Sequence, residues 1–266
     1  MGELIELPEL KRLKKTVRSF RQKLTDLLAE YDELRYITCE NIETDYLLEF
    51  GVLEYRIYDL YCHYSRLRRK RELIQARLNR EETIDQNEVE AQLDQEFADY
   101  KKNLEEKLSQ INRAFALDSL DRLEGEDLKE FKDLYRQIVK KLHPDLNLNQ
   151  TEEEQKLFLH AVEAYQNGDL RRMRMIYQMV MGDSDEELSD QSSSVLVKEK
   201  LRLERSIDQV LSAIEHIKAT YPYNLRPYLL DQKLNKEKHE ELNEILSAYQ
   251  EAIRTQEEVI KTLLEA

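Results

Sequence analysis

The stretch DLKEFKDLYRQIVKKLHPD, residues 127–145, carries the reading that decides the fold. On a wheel of about 100° per residue, Leu128, Phe131, Leu134, Tyr135, Ile138, Val139 and Leu142 share one arc. Lys129, Lys132, Arg136 and Lys140 fall on a separate arc. The spacing predicts an amphipathic helix with one side to bury and a basic stripe on the other. Pro144 disfavours helical backbone at His143, so the helix ends there. The chain as a whole has 41 basic and 55 acidic side chains, a net charge of −14. A basic stripe on such a chain is a local sign reversal, which suits an electrostatically steered contact with an acidic partner.

Working outward, the same periodicity recurs over most of the 266 residues. Leu10, Leu13, Val17, Phe20, Leu24, Leu27, Leu28 and Tyr31 follow one helical stripe. A second helix runs over about 41–79, where Gly51 suggests close packing or a bend. A third is expected from a capping box at Asp85 and Glu88 to about Phe115. Leu196, Leu203, Ile207, Val210, Ile214 and Ile217 lie on a heptad seam, as do Leu242, Ile245, Tyr249, Ala252, Val259 and Leu263. Gln256 is the polar exception on the latter seam. Five Gly and four Pro are too few for the turns of an all-β chain of this length. The expected class is all-α: long amphipathic helices, as a bundle or coiled-coil arms, flanking a compact helical hairpin. The expected division is an N-terminal bundle over 1–117 and a compact unit over 118–181. An acidic, Ser-rich linker over 182–193 and an antiparallel hairpin over 194–266 follow.

The compact unit carries a family resemblance. His143-Pro144-Asp145 closes a helix in which Tyr135, Arg136, Ile138, Val139 and Lys141 keep the register of Tyr-Arg-x-Leu-Ala-x-Lys-x-His-Pro-Asp. Phe158, Ala164 and Tyr165 reproduce the spacing of the helix that follows, with a capping box at Thr151 and Glu154. Over about residues 126–178 the chain resembles the J-domain (DnaJ-type) co-chaperones of Hsp70. The resemblance implies that Tyr135, Ile138, Phe158, Ala164 and Tyr165 build the core of the unit. It implies that His143, Pro144 and Asp145 meet an Hsp70-type (DnaK-like) chaperone, with Asp145 accepting from a partner arginine. Lys129, Lys132, Arg136, Lys140 and Lys141 would face an acidic surface of that partner. Such a protein does no chemistry itself; it biases its partner toward ATP hydrolysis.

The sequence departs from the family pattern in several places. Lys140 and Leu146 replace the usual apolar and basic residue, and the short first helix with its Tyr-Tyr-x-x-Leu-Gly pattern is missing before residue 126. Either the end of the helix near 104–117 substitutes for that element, or the unit is degenerate. A Gly/Phe-rich segment and a four-cysteine zinc module are also missing. Two functions therefore stay open: a specialised co-chaperone whose helical arms contact a client or an assembly, and a coiled-coil scaffold that no longer activates Hsp70.

Other features read as structural. Arg66, Arg68, Arg69, Lys70 and Arg71 could touch nucleic acid, but a charged helix face paired with neighbouring acids accounts for them and the acidic balance argues against nucleic acid. Tyr55, Tyr58, Tyr61 and Tyr64 read as a bundle core with hydroxyls at its rim. The histidines lack ligand partners at i+3 or i+4, so neither metal nor cofactor is expected, and no phosphate loop or nucleophile elbow suggests an enzyme. With Cys39 and Cys62 isolated, no basic-then-apolar leader and no 18-residue apolar run, the expected location is cytoplasmic, with no membrane contact. Heptad seams are compatible with a homodimer, and a hairpin satisfies them equally.

Overall fold

The computed structural model describes residues 8–118, 123–181 and 193–265. In chain order the α-helices are α1 (Pro8–Glu33), α2 (Cys39–Tyr46), α3 (Val52–Asn79), α4 (Gln86–Glu96), α5 (Ala98–Asp118), α6 (Gly125–Leu142), α7 (Glu152–Gln166), α8 (Leu170–Met181), α9 (Ser193–Ala219), α10 (Arg226–Leu230) and α11 (Gln232–Glu265). π-helical turns at Leu34–Thr38 and Leu47–Gly51 flank α2. Every regular element among the described residues is helical, so the all-α class holds. No helix there is long and apolar enough to cross a membrane.

The chain forms two compact units. The first draws its described residues from 1–41 and 121–224, the second from 42–120 and 225–266. In the first, α1 and α9 run side by side in the same direction, as the ion pairs Arg21–Glu199 (3.1 Å) and Glu30–Lys218 (3.0 Å) record. Val17, Leu24 and Leu28 of α1 and Leu196, Leu203 and Ile207 of α9 join one core with α6, α7 and α8. That core includes Phe131, Ile138 and Val139, then Phe158, Ala161 and Ala164, then Met173, Ile176 and Val180. Each of the larger apolar side chains, once buried, contributes about 1.5–3 kcal/mol. Local chemistry sets the helix ends. Thr151 and Glu154 make the expected reciprocal capping box at the start of α7. Gly168, at φ +63°, turns the chain from α7 into α8, and Asp169 accepts from the Arg172 N–H at 2.9 Å.

In the second unit α3 pairs with α11, again in the same direction. Glu49, just before α3, meets His239 at 2.9 Å, while Tyr61 and Tyr64 lie against Tyr249 with ring centroids 6.0 Å apart. Tyr46, Phe50 and Leu242 form a small buried cluster at one end. The π-turn at Gly51 sits close to α5: a Cβ there would stand 3.2 Å from Ile111 Cγ1.

Several expected boundaries are corrected. The 1–117 bundle does not form as one body, because α1 belongs to the first unit and α3 to α5 to the second. The 194–266 hairpin is likewise replaced, α9 packing on α1 and α11 on α3. A heptad seam demands an apolar partner without naming one, and each seam here is met by a helix distant in sequence. The expected third helix is two, with Phe97 leaving helical geometry between α4 and α5. Of the expected linker, residues 182–192 lie outside the described residues and Ser193 already opens α9.

Candidate functional site

The expected core residues do come together. Tyr135, Ile138, Phe158, Ala164 and Tyr165 are all buried in the first unit. The Tyr135 and Tyr165 rings stack with centroids 3.9 Å apart and planes within 11°, and Phe131 also stacks on Tyr165 at 5.0 Å. The Tyr135 hydroxyl donates to Asp32 Oδ2 at 2.7 Å. Burial of that hydroxyl and the neighbouring Asp32 charge raise the Tyr135 pKa. Burial likewise lifts the Asp32 carboxyl from its ordinary 3.8 to about 6, against the hydrogen bond from Tyr135, which favours the ionised form.

The turn after α6 is built by His143. Its backbone is extended (φ −73°, ψ 132°), its N–H donates to Val139 O at 2.9 Å, and its carbonyl accepts from the N–H groups of Leu146 and Asn147, each at 3.0 Å. The Asp145 N–H donates to His143 Nδ1 at 3.1 Å, which assigns the ring proton to Nε2. The imidazole is half-buried, edge-on to Phe158 at 5.2 Å, and burial lowers its pKa, which keeps Nδ1 free to accept at neutral pH. Pro144 and Asp145 stand exposed at the tip. Leu146, one of the departures from the family pattern, is buried in the core of the unit, which explains an apolar residue there.

The turn has a brace that the sequence did not reveal. Arg202 of α9 donates through one terminal nitrogen to the Asp145 carbonyl at 2.5 Å. Its guanidinium makes two further bonds to Glu199, both at 2.9 Å, and Glu199 also accepts from Arg21 at 3.1 Å. Arg202, then Arg21, hold the Glu199 carboxyl below its usual range.

The basic stripe is divided. Lys129 and Lys140 are exposed and Lys141 is half-buried. Lys132 pairs with Glu33 at 2.6 Å and Arg136 pairs with Asp26, so α1 lies along one edge of the stripe. Arg136 and Lys140 line a shallow groove against Gln22 and Thr25 of α1. Besides α7 and α8, the helix packed on α6 is α1; α5, which contains 104–117, belongs to the other unit. Asp26, Asp32, Glu33, Glu199 and Arg202 carried no signal in the sequence, because no spacing rule links residue 32 to residue 135 or residue 202 to residue 145.

The remaining candidates resolve into structure. Arg66 and Lys70 share Glu90, Arg66 also meets Asp94, and Arg69 meets Glu96 and Glu72, so the basic run is matched by acids of α4 and of α3 itself. Tyr58, Tyr61 and Tyr64 are half-buried in an aromatic ladder with Tyr100 and Tyr249. Among the described residues no group of three or more His, Cys, Asp and Glu is arranged to hold a metal ion. No protein-family model matches this chain, nor does any curated protein or solved structure.

Proposed function

We propose that α6 to α8 act as a J-like unit that docks on an Hsp70-type chaperone and stimulates its ATP hydrolysis. The observation that carries this reading is the exposed Pro144-Asp145 tip, held by His143 from within and by Arg202 from α9, at the end of a helix with a basic edge. The Asp145 carboxylate is exposed and open to a partner guanidinium, a charge-assisted pairing of high geometric specificity. Lys129, Lys140 and Lys141 supply positive charge beside it and would steer an acidic surface toward the tip. The protein would act by coupling, binding at one place and biasing a partner's active site at another, with no reaction of its own. The long paired helices of the two units are then the candidates for client or assembly contacts, in the cytoplasm.

The test is single-turnover ATP hydrolysis by an Hsp70 with added wild-type protein or His143→Gln. Glutamine keeps an acceptor but not the imidazole that shapes the turn. Stimulation by the wild type that the variant loses supports the reading. A folded wild type that leaves hydrolysis unchanged overturns it.

One observation favours a second reading, a scaffold whose J-like helices only retain the fold. Lys132 and Arg136 are already paired with Glu33 and Asp26. In the scaffold reading those pairs are permanent structure, and neither the wild type nor any variant stimulates hydrolysis.

A further inference from the structure

The pairs between α1 and α6 have a consequence if the J-like reading holds, on which this inference rests. α1 is anchored to α6 by the Asp32–Tyr135 hydrogen bond and by Leu24 and Leu28 in the shared core. From that anchored position it presents Asp26 to Arg136 and Glu33 to Lys132, while Gln22 and Thr25 face the groove that Arg136 and Lys140 line. Three of the four cations of the stripe therefore border α1, and two of them already hold a carboxylate. We propose that the Asp26–Glu33 edge of α1 is an intramolecular stand-in for the partner's acidic surface, so that the protein masks its own docking face and the partner must displace these two carboxylates to engage it.

The mask is shallow. Both pairs are partly exposed, with side chains about 35–47% accessible. Such pairs are worth only about 0–1 kcal/mol each and are weakened by salt. An acidic partner surface can exchange for them without unseating α1, whose buried contacts persist. The device therefore raises the concentration at which the partner is engaged and leaves the maximal rate of the engaged complex unchanged.

The experiment titrates full-length protein into single-turnover hydrolysis by an Hsp70, comparing wild type with Asp26→Asn/Glu33→Gln. The amides keep shape and lose charge, and circular dichroism verifies the helical fold. The half-maximal concentration should fall about three- to tenfold, the ratio that two such weak pairs can give, and the ratio should shrink toward one at high salt. A charge-matched control, Asp94→Asn/Glu96→Gln in the second unit, should leave the half-maximal concentration unchanged. If the control lowers it equally, or the α1 variant leaves it unchanged or higher while wild type stimulates and His143→Gln does not, the mask is overturned and the J-like reading stands. If no form stimulates hydrolysis, the reading falls and the mask falls with it.

Discussion

Tyr135, on the basic helix, donates its hydroxyl to a buried carboxylate of Asp32 that lies 103 positions earlier in the chain. The pair ties α1 to the helix that precedes the His-Pro-Asp turn. It does so with a charge-bearing group in a place where charge is costly, because a buried carboxylate is compensated only by its hydrogen bonds and neighbouring cations.

The pair makes the first unit sensitive to pH. The folded-state pKa of Asp32 is raised from 3.8 to about 6, so folding disfavours its ionised form. Its contribution to stability is complete below about pH 4 and is lost as pH rises through about 6, a change of about 3 kcal/mol. Asp32→Asn cannot ionise and still accepts from Tyr135. Equilibrium unfolding should find the variant close to wild type at pH 4 and more stable by up to about 3 kcal/mol at pH 8. A difference that does not change with pH would refute the assignment.

Arg202 bridges Glu199 and the Asp145 carbonyl. Arg202→Ala leaves Glu199 with Arg21 alone and removes a donor from the turn, which should cost about 1–3 kcal/mol. Amide exchange over residues 143–147 should accelerate in the variant. The folded-state pKa of Glu199 is lowered, so its contribution is present above its unfolded value near 4.5 and is lost as pH falls through the folded one. The gap between variant and wild type should therefore narrow below that pH.

In the second unit, Gln256 is buried on the seam of α11 and its Oε1 has no hydrogen-bond partner among the described residues. Gln256→Leu removes a desolvated acceptor from an apolar seam. It should slow hydrogen exchange in α3 and α11 and raise the stability of the unit by about 1–2 kcal/mol. A loss of stability would show that this glutamine sets the register of the helix pair.

Gly51 tests the close approach of the π-turn to α5. Alanine there recovers about 1 kcal/mol of helix propensity against a 3.2 Å contact with Ile111, so Gly51→Ala should stay within about 1 kcal/mol of wild type. Gly51→Leu should cost about 1–3 kcal/mol by overpacking. Adding Ile111→Ala should recover part of that cost in a double-mutant cycle, whereas strict additivity would place the strain elsewhere.

Local rules made much of the first unit legible. The apolar arc of residues 128–142, the stop at Pro144 and the Thr151–Glu154 box each involve residues within a few turns of one another, and the structure holds all three as read. The same periodicity put Tyr135 and Ile138 on the face to be buried, since a helix with one apolar face can bury only that face, while Phe158, Ala164 and Tyr165 were expected in the core from the family resemblance; all five are buried. The close packing expected at Gly51 is also present, against Ile111.

By itself, then, the sequence determined the helical class, the position of the His-Pro-Asp turn and the buried face of the helix that leads into it. Only the tertiary structure decided that α1 pairs with α9 and α3 with α11, that acids of α1 occupy half of the basic stripe, and that Arg202 braces the turn. The physical reason is one of range. Helix formation and capping are fixed by contacts between residues near in sequence, whereas an apolar seam or an exposed charge fits many partners. Which one it meets depends on which helices the shared core brings alongside.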